Sequence, residues 1–183
     1  MINYTLTLED LTKSFGRRLI FKNINHQFSS GNVYGLAGSN GSGKSTLAKI
    51  MSYLLSPTSG KVIHRLAEVE ITNEKLHNHL GFVSPYLVLY DEFSAEENLK
   101  HFLNIRGLEY NKEITDNLFN NFSLYERKND LLKGYSSGMK QRMKFIFSLV
   151  HDPELLIFDE PTSNLDISGK NTVYKMIKQE AKS

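Results

Sequence analysis

From Gly38 to Thr46 the chain reads GSNGSGKST: a glycine, four residues, a second glycine, a lysine and two hydroxyls. This is the phosphate-loop pattern, in which the backbone N–H groups of Gly38, Ser39, Asn40, Gly41, Ser42 and Gly43 can turn inward around an anion. A helix starting at Lys44 would offer its positive dipole end to the same anion. Lys44 then reaches the β- and γ-phosphates of a nucleotide, the Ser45 hydroxyl ligates Mg²⁺, and Thr46 adds an α-phosphate contact. A ligand-free glycine-rich turn would look similar. The apolar run before the loop and the amphipathic run after it favour the phosphate loop.

Two further stretches carry chemistry. LLIFDEP, Leu155 to Pro161, puts Asp159 and Glu160 at the end of four apolar residues. That is the C-terminal end of a buried strand, where ligands gather in α/β sheets. Asp159 can hold Mg²⁺ and Glu160 can orient an attacking water, which is most of what phosphoryl transfer asks of a protein. An Asp-Glu pair after a strand is commonplace alone; beside a phosphate loop it gains meaning. YSSGMKQR, Tyr135 to Arg142, places small hydroxyl residues and a glycine before a basic helix. It fits a second anion grip, and equally an ordinary helix cap with a solvated basic face.

These residues need elements to position them. Tyr4, Leu6 and Leu8 alternate like a half-buried strand, and Leu19 to Phe28 predicts a second. NVYGLAG, Asn32 to Gly38, reads as a buried strand feeding the phosphate loop. Leu47, Ile50, Met51 and Leu54 mark one helical face, broken by SPTSG. KVIHR and Leu80–Val83 predict short strands. Ser94 and Glu97 form a capping box ahead of Leu99, Phe102 and Leu103, and Ile114, Leu118 and Phe122 continue the helical spacing. Met139, Met143, Ile146 and Val150 lie on one stripe, and Val173, Met176 and Ile177 mark a last helix. Strands, a helical stretch, then strand and helix again predict an α/β core with a helical insertion over about residues 91–150 of a single domain, 1–183.

Composition narrows the class. The chain has 183 residues, enough for one sizeable core, and its net charge of +2 is scattered, so no nucleic-acid partner is expected. It has no cysteine, which excludes disulfides, thiolate metal sites and cysteine catalysis. The N-terminus lacks a signal-peptide core, and no apolar run approaches the ~18 residues of a membrane span.

The motifs, in this order and over the whole chain, resemble the ATP-binding subunits of ABC transporters. The resemblance implies a P-loop ATPase core, mostly parallel sheet with flanking helices, plus an N-terminal antiparallel β subdomain and an inserted helical subdomain. It implies ATP and Mg²⁺, with Ser45 and Asp159 on the metal and Lys44 and Glu160 catalytic. YSSGMKQR is similar to the family's signature, commonly LSGGQ, which in a head-to-tail dimer grips ATP bound to the partner's phosphate loop. Ser136, Ser137 and Gly138 would touch that nucleotide. SNLD, Ser163 to Asp166, resembles the D-loop at the dimer interface. KSFG resembles the aromatic loop that stacks on adenine, making Phe15 the candidate; a core aromatic is the equal alternative. The implied partners are a second nucleotide-binding domain, identical or different, and a transmembrane permease subunit. The implied location is cytoplasmic, peripheral on the inner face of the cell membrane. The YSxGMKQR form is similar to that of exporters. Two other readings stay open: a soluble ABC-type ATPase switch and a non-hydrolysing regulatory subunit.

Two departures stand out. Pro85, in GFVSPYLVLYDEF, occupies the place of the family's Q-loop glutamine, and no glutamine occurs between Gln27 and Gln141. Ser84 and Tyr86 are the polar neighbours that could stand in. No histidine follows His151, whereas the family has a later strand ending in a switch histidine. Part of a longer protein, a strand supplied by another chain, or a degenerate relative would each account for this, and the first is favoured. A missing strand would leave a gap in the parallel sheet. His77 and His79 have no third ligand nearby and predict no metal site. His26, His64, His101 and His151 read as surface or edge residues. Asp91, Glu92 and the aromatics Phe82, Tyr86, Tyr90 and Phe93 would open the helical subdomain or face a membrane partner.

Overall fold

The computed structural model describes residues 3–181, which fall into two compact units: residues up to Leu80 with those from Gln179 onward, and Gly81–Lys178. The first unit is built on strands β1 (Tyr4–Phe15), β2 (Arg18–Ser29), β3 (Ser59–Leu66) and β4 (Val69–Glu70), in the antiparallel order β2-β1-β3-β4. Its helices are α1 (Lys44–Met51) and α2 (Asn73–His79). The alternation in β1 turns Tyr4, Leu6 and Leu8 inward, where they join Leu11, Ile50, Met51 and Leu76 among the buried residues. Leu54 departs from the predicted helical face: α1 ends at Met51, and Leu54 lies beyond it at 64% exposure.

His64 overturns its reading as a surface residue. It is fully buried in β3, where its Nε2 donates to the Met51 carbonyl (2.8 Å) and its Nδ1 accepts from the Tyr4 hydroxyl (2.7 Å). A carbonyl can only accept, so Met51 fixes the tautomer. Burial pushes the imidazole pKa down to about 4, against the smaller upward pull of the Met51 hydrogen bond.

Asn32–Gly38 also departs from expectation. These residues adopt no strand and are exposed throughout. A strand is made by its neighbours' N–H and C=O groups as much as by its own sequence, and among the described residues none pairs with this run.

The second unit holds the parallel pair β5 (Leu80–Val83) and β6 (Leu155–Phe158) with helices α3 (Ala95–Ile105), α4 (Lys112–Asn121), α5 (Ser137–Leu149) and α6 (Ile167–Glu180). The α3 capping box is complete: Ser94 Oγ accepts from Glu97 N (3.2 Å) and Glu97 Oε2 accepts from Ser94 N (2.8 Å). On α4 the buried face runs through Thr115 and Phe119 to Phe122, while Ile114 faces solvent, one position off the predicted stripe. The core packs Val83, Leu99, Leu103, Phe119, Phe122, Met143, Phe145, Ile146 and Val173, with the Phe122 and Phe145 rings stacked at 5.7 Å. Most of α5 from Met143 onward is inside it. No described helix is long and apolar enough to cross a membrane.

Candidate functional site

The phosphate loop lies in the first unit. Gly43 is the N-cap of α1 at φ 99°, in the left-handed region, and a Cβ there would come within 2.6 Å of Ile20 Cγ2 and 3.3 Å of Phe21 Cδ1. Only glycine meets both demands, the backbone angle and the close approach to β2. Leu47 N donates to the Gly43 carbonyl (2.8 Å), starting the helix at the lysine as the motif requires. Lys44 Nζ donates to the carbonyls of Gly38 (2.8 Å) and Ser39 (2.9 Å), so the ammonium is held over the loop. A phosphate would exchange those neutral acceptors for anionic ones. A cavity of about 410 Å³ adjoins the loop, bounded by Phe21, Ile24 and Leu47 and by Gly38, Ser42 and Lys44. Glycine geometry, a cation held over the loop and room beside both fit a nucleotide's phosphates. Phe15, at the end of β1, is 49% exposed with Lys13 Nζ 4.7 Å from its ring centroid, so it is no core aromatic.

The carboxylates and the signature lie in the second unit. Asp159 N donates to the Val83 carbonyl (2.8 Å), extending the β5–β6 pairing one residue, and Asp159 is buried. Glu160 is exposed and takes φ 51°, a left-handed conformation that a non-glycine residue holds only against strain. Ser163 supports it, with its hydroxyl donating to the Glu160 carbonyl (2.9 Å). The chain thus turns sharply between the two acids and sends them to different environments, one inside and one to solvent. Asp166 caps α6, accepting from Gly169 N through Oδ1 (2.7 Å).

Ser136 is the N-cap of α5, its Oγ accepting from Met139 N (3.2 Å), which is the helix-cap geometry. A hydroxyl that accepts from the backbone still has its own proton to donate. Beside it, a Cβ on Gly138 would lie 3.1 Å from the Asn164 carbonyl, so the signature glycine lets α5 approach the D-loop stretch. Tyr135, where the common signature has leucine, is buried and donates from its hydroxyl to the Arg127 carbonyl (2.7 Å). Burial raises its pKa to about 12. Met139, in place of glutamine, packs against the core.

Two side chains of α5 were not singled out from sequence. Gln141 is buried and donates to the Pro161 carbonyl (3.1 Å), tying the signature helix to the turn after the carboxylates. Lys144 is buried and donates to the carbonyls of Ser84 and Pro85, 3.0 Å to each. Burial holds its pKa below the usual lysine value. The available signal was a lysine amid Met143, Phe145, Ile146 and Phe147, where solvation alone would not place it.

Comparison with known proteins decides the family. The model of the ABC transporter family matches residues 21–163. The chain belongs to that family. ABC transporter ATP-binding subunits are ATPases that bind ATP, and the α/β fold with its antiparallel sheet and parallel pair is theirs. The lantibiotic transport ATP-binding protein SrtF of Streptococcus pyogenes is 36% identical over 172 residues, covering 94% of this chain and 73% of SrtF. The linearmycin resistance ATP-binding protein LnrL of Bacillus subtilis is 32% identical over 176 residues, covering 95% of this chain but 57% of LnrL. Among solved structures, an ATP-binding subunit of an ABC transporter superposes with a TM-score of 0.82 at 24% identity, over 96% of this chain and 74% of that one. A bacterial Atm1-family ABC exporter with ATP bound gives 0.82 at 21% identity, over 97% of this chain and 32% of that one; both share the ABC ATPase fold.

Proposed function

We propose that this ABC ATPase powers an exporter by binding and hydrolysing ATP in a head-to-tail dimer of nucleotide-binding domains, working on a transmembrane permease subunit from the cytoplasmic face of the membrane. The assignment treats 1–183 as one nucleotide-binding domain with 91–150 as its helical part. The observation that carries it is the phosphate loop itself: glycine angles, a helix beginning at Lys44 and a lysine held over the loop. The family relation supplies the rest, and relatives whose names specify lantibiotic transport and linearmycin resistance favour export.

In this reading Gly38–Thr46 bind the phosphates and Phe15 stacks on adenine. Ser45 and Asp159 are the Mg²⁺ ligands; the metal, when bound, neutralises charge on the phosphates. Glu160 is the exposed carboxylate that orients water. Ser136, Ser137 and Gly138 grip the partner's nucleotide, with Asp166 near the same interface. The test is Glu160→Gln, assayed with the partner subunits assembled. ATP binding should persist while hydrolysis falls by about a hundredfold or more. Unchanged turnover would sink the mechanism, whereas loss of binding as well would move Glu160 from catalysis to structure.

A further inference from the structure

The loop from Ser84 to Phe93 begins where the family carries its Q-loop glutamine, and here Pro85 stands at that place. Proline offers neither a side-chain donor nor a backbone N–H. Of the polar neighbours, Ser84 Oγ accepts from Tyr86 N (3.2 Å) and Tyr86 is exposed. At Ser84 and Pro85 the loop presents backbone inward, and α5 meets it. Lys144 brings one ammonium to two consecutive carbonyls, those of Ser84 and Pro85, at 3.0 Å each. One turn earlier on α5, Lys140 Nζ pairs with Asp91 Oδ1 at 2.6 Å. At the far end Asn98 closes both backbone groups of Tyr90, accepting from its N and donating to its O at 2.9 Å each.

Between these anchors Leu89 packs against the core, while Tyr86, Val88 and Tyr90 are exposed. A cavity of about 290 Å³ is bounded by Leu87, Val88 and Leu89 of the loop and by Gln141, Lys144 and Asn164. The loop is held by directed polar bonds at its ends, to α5 through Lys144 and Lys140 and to α3 through Asn98. Of the two α5 anchors, Lys144 is the buried one, screened less by water than the Lys140–Asp91 pair. Alpha-5 is also the helix whose N-cap is Ser136, two turns from Lys144.

We propose that Lys144 is a positioning residue that fastens the Ser84–Pro85 turn to the signature helix, so that loop and signature move as one piece and turnover depends on the fastening. This rests on the ATPase reading above.

The test uses the full protein, with steady-state ATP turnover and hydrogen exchange. In Lys144→Met the shape is kept and the donors are lost. The kcat for ATP should fall about tenfold or more with KM within about twofold. Exchange should accelerate at the amides of 86–91 while those of 143–149 stay protected. Lys144→Arg, for which the neighbouring cavity leaves room, should recover most of the lost kcat. A folded Lys144→Met protein with kcat within about twofold of wild type would overturn the proposal. So would a loss that Lys144→Arg does not repair and that comes with exposed α5 amides, since that marks packing alone. If Lys144→Met does not fold, the wild type decides: ATP should change protection at 84–91 and 136–141 together, and a change in one without the other refutes the coupling. If the wild type hydrolyses no ATP, the ATPase reading fails instead, and the exchange comparison without nucleotide still tests the fastening.

Discussion

Asn32–Ala37 and Leu155–Phe158 are both short apolar runs that lead into a motif, yet they end up in opposite states. The second pairs with β5 and places Asp159 in the interior. The first pairs with no strand among the described residues and is exposed from end to end. Burial is thus conferred by neighbours rather than by the run. The two motifs are accordingly held by different forces. The phosphate loop is shaped locally, by the left-handed Gly43, its approach to Ile20 and the bonds of Lys44 to its own loop. The carboxylate and signature stretches are shaped by tertiary structure, through β5, Gln141, Lys144 and the core beneath α5.

The sharpest way to break this contrast is at Lys44. Its bonds to the Gly38 and Ser39 carbonyls lie within the loop and it is not a core residue, so Lys44→Ala should leave the melting temperature almost unchanged. ATP affinity should drop about a hundredfold, roughly 3 kcal/mol, because charge-assisted phosphate contacts vanish. Nucleotide titration beside a thermal melt reads both. A large fall in melting temperature would show that the loop supports the fold, against the contrast drawn above.

A matched pair of truncations measures the two runs directly. Ile157→Ala removes a side chain only 8% exposed and should cost about 3 kcal/mol in chemical denaturation. Leu36→Ala, at 43% exposure, should cost under about 0.5 kcal/mol. Equal costs would mean that Asn32–Ala37 is packed after all.

The buried His64 gives the first unit an acid-sensitive point. Its pKa is about 4 folded and near 6.5 unfolded, so the unfolded chain takes up the proton first. This contribution is complete above the unfolded pKa and is lost as pH falls towards the folded one. Between pH 7 and pH 5 the loss should be about 2 kcal/mol, read as the difference in denaturation between wild type and His64→Leu across that range. The same pH slope in both proteins would place the acid sensitivity elsewhere.

Local signals were the legible ones. The phosphate-loop spacing, the Ser94–Glu97 capping box and the β1 alternation could each be read within a few residues, and each stands in the structure. What depended on distant partners was not legible. The state of Asn32–Gly38 hangs on which strands lie beside it. His64 needed Tyr4 and Met51, sixty and thirteen positions away, to become a satisfied buried group. Lys144 needed a loop sixty residues upstream to give its ammonium a reason to be inside. Sequence spacing reports bonds made within a turn or two. A polar group in an apolar stretch is the trace that longer bonds leave behind, and in both residues that trace was present.

Tyr135 tests the smallest step of the comparison, whether a signature residue is held by the core or serves only the nucleotide. Its ring is buried and its hydroxyl reaches the Arg127 carbonyl at 2.7 Å, within the same unit. Tyr135→Phe keeps the ring and removes one hydrogen bond, leaving a carbonyl to find water or go without. The expected cost is about 1 kcal/mol, a few degrees in melting temperature, with ATP turnover preserved. Tyr135→Leu restores the common signature residue but loses ring volume as well, so it should cost more stability than Tyr135→Phe. If Tyr135→Leu instead matched wild type in stability while altering turnover, the tyrosine would belong to the nucleotide's surroundings, and the signature would be supported locally, as the phosphate loop is.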